Sequence, residues 1–271
     1  MEEIDSFLEK RFGTEYVKVS NEKNVVNFLP KACFFISPTN DGYAQGNNKG
    51  LMIAEKDTTI TDILILNNDI LFTEDIIPKL KEIRHDMISP GIISPLLLKK
   101  DGKSIDYTCA RKDYTHIQLF FQYLFFFIDI FGLLSFFSKK QNLLENNPNL
   151  LSSKYFEIEM PSGSCMLIDK LLFKHIGYFD THTFLYFEEN ILFRKMEKIG
   201  KHNYLVPWLN CVHLGASTSK KSPTFFTMKC HIESNEYYLH NYNSSAFLEF
   251  FISNIKHLIM LKIKVLNYLR K

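Results

Sequence analysis

The sequence predicts an α/β fold with a mainly parallel sheet, and two observations carry that expectation. Short apolar runs at 32–36, 62–66 and 91–93 have the length and composition of buried strands, and helical patterns near 47–55 and 73–84 lie between them. Strands that alternate with helices pair in parallel, because each helix carries the chain back to the same end of the sheet. With 271 residues the chain can bury a substantial core, as one large domain with appendages or as two small ones. Composition removes other classes. Its 32 Lys and Arg stand against 30 Asp and Glu, so there is no basic excess and nucleic acid is not expected as a partner. Five dispersed cysteines without a CxxC pair fit reduced thiols, not a disulfide scaffold. The acidic start Met1-Glu2-Glu3-Ile4-Asp5 lacks the basic and then apolar pattern of a secretory signal.

The elements follow in order. Ile4, Phe7, Leu8 and Phe12 recur at helical spacing, and Gly13 can end that helix. Asn40, Gly42, Gly46, Asn47, Asn48 and Gly50 form a glycine- and amide-rich stretch, read as a loop whose backbone can approach a ligand before the next helix, although it is also ordinary turn chemistry. Asn67-Asn68-Asp69 follows the apolar run 62–66 at the carboxyl end of a strand, where ligands bind in such sheets; a plain turn has the same composition.

The segment 117–137 holds fifteen Leu, Ile or Phe residues and is long enough to span a bilayer. Each contributes about −0.3 to −0.6 kcal/mol to insertion against about +3 for Asp129. A span here would, however, separate Asp69 from Glu189. Gln118, Gln122 and Asp129 fall within about 40° on a helix, so an interfacial or half-buried helix is expected instead. The last helix, 245–271, places Glu249, Ser253, Lys256, His257, Lys264, Asn267, Arg270 and Lys271 opposite Ile252, Ile255, Leu258, Leu261, Val265, Leu266 and Leu269. Five Lys or Arg and no acid follow Ile255, which suits an anionic membrane surface; a terminal helix packed on the domain is the other outcome. The expected division is therefore a domain at 1–220, with 117–137 inserted, and a membrane-associating tail at 221–271.

Three groups have the chemistry of a site. Asp69 offers hard oxygen ligands to a divalent cation. Glu188 and Glu189 are adjacent on the aromatic segment 184–187, where burial and mutual repulsion raise a carboxylate pKa, although two acids also suit the first turn of a helix running to Lys198. His213 ends a strand-like run and can bind metal or phosphate as a neutral imidazole. Cys211, His213, Cys230 and His231 match no common zinc spacing.

Taken in order, these segments resemble the family 2 glycosyltransferases, particularly the rhamnosyltransferase-like members that build bacterial surface polysaccharides. Residues 40–50 are similar to the family's N-x-G-[FY]-A-x-G-N-N-x-G loop. Leu66-Asn67-Asn68-Asp69 is similar to its L-N-x-D metal motif, with Asn67 replacing the first acid of D-x-D. Gly163-Ser164-Cys165-Met166 resembles the acceptor-side segment, and Gly177-Tyr178-Phe179-Asp180 the G-x-F-D turn. Tyr186-Phe187-Glu188-Glu189-Asn190-Ile191 with Arg194 is similar to Y-x-E-D-x-D-L-x-x-R, with Ile191 departing from an aspartate. Val212-His213-Leu214-Gly215-Ala216-Ser217 resembles V-x-H-x-x-G-x-S.

The resemblance implies a GT-A-type three-layer α/β/α sandwich that transfers a sugar, with inversion, from a nucleoside diphosphate to a saccharide or lipid-linked acceptor. It makes Glu189 the base, with Glu188 beside it, and puts Mg or Mn on Asp69, with His213 near metal and diphosphate. Asn40, Gly42, Gly46, Asn47 and Asn67 would serve the donor. It further implies a cytoplasmic protein peripheral to the inner face of the membrane. Nothing in 1–39 resembles the family's opening strand, helix and strand ending in Val-Asp-Asn-x-Ser, so the domain is expected to be truncated at its N-terminus. The alternative is an inactive remnant that binds a membrane or a partner transferase.

Overall fold

The computed structural model describes residues 2–19, 29–128, 141–215 and 225–269; of residues 126–128, 266, 267 and 269 it describes the backbone only. Helix α1 (Glu2–Phe12) carries acids in its first turn and bases in its last, as the helix dipole favours, and Gly13 at φ +53° ends it. Strand β1 (Tyr16–Val19) pairs in parallel with β2 (Ala32–Phe35) in a small separate sheet. The apolar run at 32–36 is thus a strand, but it does not join the main sheet.

That sheet has the order β3 (Asp62–Leu66), β9 (Cys165–Asp169), β5 (Pro90–Leu98), β10 (His202–His213) and β4 (Ile70–Leu71), with β7 (Phe156–Ile158) also paired to β10. The expected mainly parallel sheet is present in its strand directions. β9 is antiparallel to both β3 and β5, and β5 is parallel to β10, so β3, β5 and β10, which hold most of the strand residues, run the same way. β4 and β7 run against β10. Within this sheet β5–β10 is nevertheless the one parallel ladder, because β9 is inserted between two strands of the opposite direction.

Helices cover both faces, as the strand alternation requires. Ile63, Ile65, Met166 and Ile168 point to one face, under α2 (Gly42–Glu55), α6 (Lys170–His175) and α7 (Glu188–Lys198). Cys165 and Leu167 point to the other face, under α3 (Ile77–Ile83) and α5 (Leu143–Asn146). β6 (Ala110–Arg111) pairs antiparallel with β8 (Met160–Pro161) in a separate two-stranded sheet.

One expectation is corrected here. The stretch 40–50 is not a loop, because α2 begins at Gly42 and carries Gly46, Asn47, Asn48 and Gly50 within it. Gly42 itself is demanded by the turn: it sits at φ +85°, and a Cβ there would lie 2.1 Å from the Phe184 carbonyl oxygen, which accepts the Tyr43 N–H at 3.0 Å.

The C-terminal helices pack on this body. Helices α4 (His116–Ile128), α8 (Phe225–Asn241) and α9 (Ala246–Leu269) share a core with Phe187 and Ile191, so α8 packs on the body; the expected boundary at 220 lies outside the described residues. Ser234 donates to the Leu185 carbonyl at 2.9 Å, and the Tyr237 hydroxyl donates to Asp180 at 2.9 Å. α4 opens in a capping box: Thr115 N–H donates to Gln118 Oε1 at 2.9 Å and Gln118 N–H to Thr115 Oγ1 at 3.2 Å. It is half-buried, with Leu119 and Tyr123 inside and Ile117 exposed; Asp129 and the rest of the apolar segment lie outside the described residues. No described helix is long and apolar enough to cross a membrane.

Helix α9 splits the apolar face read from sequence. Ile252 and Ile255 are buried with Leu248, Ile259 and Ile263, while Leu258, Leu261 and Val265 are exposed with Phe247, Phe250 and Tyr268. The helix is apolar over more than half its circumference, and packing on α4 and α8 selects one stripe.

Candidate active site

The carboxyl ends of β3, β5 and β10 and the start of β9 lie at one edge of the sheet. Asp69 occupies the turn between β3 and β4, and that turn is held on three sides. Ile70 N–H bonds to Asn67 O at 3.3 Å, Leu214 N–H to Asp69 O at 2.9 Å, and Asn67 N–H to Ser164 O at 3.0 Å. The pairing of Ile70 with His213 then brings the two side chains together, with Asp69 Oδ2 3.5 Å from His213 Nε2. Asp69 Oδ1 is buried and has no hydrogen-bond partner. On the far side of the ring, His213 Nδ1 lies 2.9 Å from Asp106 Oδ2. Burial of Asp106 opposes its ionisation, but hydrogen bonds from His213 and Thr108 hold its pKa below the ordinary value.

Glu189 reaches the same edge from another element. Two consecutive residues in the left-handed region, Tyr186 (φ 76°) and Phe187 (φ 68°), precede α7. Bulky residues rarely adopt it, and such strain gathers at functional sites. Phe187 is thereby buried, and the next turn presents two acids to different surroundings. Glu189 Oε1 accepts the Gly163 N–H at 3.0 Å and lies 3.7 Å from Arg111 Nη2, so a dipole and a cation face its charge. Tyr43 donates to Gly163 O at 2.7 Å, and a Cβ at 163 would meet Tyr43 Oη at 2.9 Å and Glu189 Oε1 at 3.0 Å, which only glycine avoids. Ser164 Oγ accepts from Asn67 Nδ2 at 3.3 Å, so one loop touches the Asp69 turn on one side and Glu189 on the other.

Glu188, by contrast, is 6% exposed and its Oε1 is buried without a partner. Burial first, and the adjacent Glu189 second, push its pKa up to about 8.

The other expected donor residues separate. Asn40 accepts the Gly42 N–H at 3.2 Å at the start of α2. Gly46 is exposed within that helix, and Asn47 donates to Tyr43 O at 2.8 Å inside it. The fixing residue is Asn48, which bonds both ways to the Phe179 backbone, at 2.9 and 3.1 Å, and so ties α2 to the turn ending in Asp180. Sequence reasoning missed Asp106, Arg111 and Asp113. Asp106 carried one signal, the cap pattern with Thr108, whose N–H it accepts at 3.1 Å. Asp113 carried none, because its partners Asn190 (2.6 Å), Arg194 (2.6 Å) and Tyr238 are distant in sequence. Arg194 of the expected motif therefore braces α7 against α8.

Among the described residues no group of three His, Cys, Asp or Glu side chains is arranged to hold a metal ion. The pair at Asp69 and His213 fits a different type of cation site. Hard divalent ions bound with phosphates take one or two protein ligands and complete their shell from phosphate oxygen and water, and the unpartnered Asp69 Oδ1 has the chemistry that such a site requires.

Comparison with known proteins gives a partial likeness. No family model matches the sequence. Over 150 residues the chain is 27% identical to the low-salt glycan biosynthesis hexosyltransferase Agl10 of Haloferax volcanii, spanning 55% of this chain and 41% of that protein's length. A solved structure of GalNAc-T7 with UDP, GalNAc and Mn2+ aligns over 86% of this chain and 45% of its own, at 14% identity and a TM-score of 0.46.

Proposed function

We propose that this chain is a glycosyltransferase that moves a hexosyl group from a nucleoside-diphosphate sugar to a saccharide or lipid-linked hydroxyl. One observation carries the proposal: a carboxylate with an unpartnered buried oxygen beside a histidine, and a second carboxylate one loop away, gather at the carboxyl edge of an α/β sheet. The similarity to Agl10 supports it. Asp69 and His213 would hold a divalent cation, Mg or Mn, on the donor diphosphate. When bound, that ion neutralises the charge of the departing diphosphate. Glu189 takes the proton of the attacking hydroxyl, with Gly163 N–H and Arg111 steadying its charge before that transfer. Attack opposite the diphosphate inverts the anomeric carbon. Glu188, buried behind it, keeps its proton near neutral pH and spares the site a second negative charge. Donor contacts from Asn40, Gly42 and Asn67 belong to the same proposal.

Asp69→Asn and Glu189→Gln test it. Each variant should keep the parent's thermal transition and lose about 10²–10⁴-fold in transfer rate. Transfer at the parent's rate by either variant would sink the assignment.

The exposed stripe of α9 supplies the lipid side of the proposal, as a docking face for an anionic membrane surface. Its apolar residues are flanked by exposed His257 and Lys264, and no acid follows Glu249 in the sequence. A protein docked there would be peripheral to the membrane that carries a lipid-linked acceptor.

A further inference from the structure

The carboxylate of Asp106 has a divided task. Its Oδ1 accepts both the Thr108 N–H at 3.1 Å and the Thr108 hydroxyl at 2.7 Å, while the Asp106 N–H donates to Leu97 O at 2.9 Å. The group is thus fixed in its own turn at the end of β5, and only Oδ2 is left, 2.9 Å from His213 Nδ1. An ionised carboxylate can only accept, so the imidazole proton sits on Nδ1. A neutral ring then presents Nε2 as a bare lone pair, facing Asp69 Oδ2 at 3.5 Å beside the unpartnered Oδ1.

We infer that Asp106 is a positioning residue that fixes the tautomer and ring plane of His213, so that Nε2 and Asp69 together form the protein half of a divalent-cation site. The identity of the anion sharing that cation rests on the transferase proposal above; the tautomer does not. Carboxylates that accept from the far nitrogen of a ligand histidine set its orientation and basicity, and their loss costs 10–100-fold in metal affinity.

Asp106→Asn isolates the effect. Its single oxygen stays with the two donors of Thr108, which leaves the amide NH₂ facing His213. That group can only donate, so Nδ1 must accept and the proton moves to Nε2, where it blocks the cation.

The experiment has two readouts on the full chain. Nitrogen NMR of labelled histidine, with the His213 signal identified by its loss in His213→Gln, reads the tautomer without metal. Pulsed EPR of Mn2+ with inorganic pyrophosphate reads imidazole nitrogen on the ion. The parent should show the Nδ1–H form and nitrogen coupling; Asp106→Asn, at an unchanged melting temperature, should show the Nε2–H form, no coupling and Mn2+ binding weakened about 10–100-fold. An Nε2–H or doubly protonated ring in the parent overturns the inference, and that measurement needs no variant to fold. Parental binding and coupling retained in Asp106→Asn also overturns it. A parent with the Nδ1–H form but no nitrogen coupling overturns the cation site and, with it, the metal step of the transferase proposal.

Discussion

Glu188 and Glu189 stand side by side in one helical turn and meet opposite environments, which decides what each can do. Glu189 is answered by an N–H and a guanidinium, whereas Glu188 is buried with its Oε1 unpartnered and only backbone N–H groups to oppose the burial. Between the ordinary glutamate value and about 8 the folded protein keeps the Glu188 proton that the unfolded chain has lost. The folded state holds more protons in that window, so stability falls as pH rises through it and levels off above. Denaturant titrations near pH 5 and near pH 9 should show this slope in the parent and its loss in Glu188→Gln. The variant should be the more stable of the two at the higher pH, by on the order of 1–3 kcal/mol. Asp180 runs the other way. Burial opposes its charge, but donors from Tyr242, His182 and Tyr237 hold it at about 2, so its contribution is present above the ordinary aspartate value and is lost as pH falls toward about 2.

Among the elements, α9 separates two kinds of apolar residue on one helix. Ile252 is fully buried against α4 and α8, whereas Leu258, Leu261 and Phe250 face outward, Phe250 at 71% exposure. Ile252→Ala should cost about 2–5 kcal/mol in chemical denaturation. Leu258→Ser with Leu261→Ser should leave the melting temperature within a degree or two, while reducing co-sedimentation with vesicles rich in anionic phospholipid. Unreduced co-sedimentation would remove the membrane-docking proposal. Helix α2 teaches a related lesson about glycine. Gly42 is required by its left-handed φ and the Phe184 carbonyl, whereas Gly46 and Gly50 meet nothing within 4 Å and lie in the helix as ordinary, slightly weakening residues.

Across the whole molecule, the α/β/α sandwich and the C-terminal helices are joined by a buried polar network. Asp113 accepts from Asn190, Arg194 and Tyr238 and so ties the segment after β6 to α7 and α8. Asp113→Ala removes the shared acceptor of Asn190, Tyr238 and Arg194, leaves Arg194 ion-paired with Glu197 alone among the described residues, and should cost about 1–3 kcal/mol, measured by denaturant unfolding. For the same reason a chain cut at residue 220 should lose its cooperative thermal transition, since it exposes the core that Phe187 and Ile191 share with α8 and α9. Much of this was legible in the residues themselves. The run 62–66 became β3 at the same bounds, Gly13 ended α1, the acids at 188 and 189 opened a helix, and His213 closed a strand. Each of those follows from local chemistry: periodicity, a left-handed stop, a dipole, an apolar run. The rest was settled only in three dimensions. Nothing local distinguishes Glu188 from Glu189, assigns Ile252 and Leu258 to different faces, or pairs Asp106 with His213 across 107 positions. Burial, partner choice and proton placement are properties of what packs alongside a residue, and the sequence by itself determined the elements while the tertiary structure decided which charges they leave unanswered.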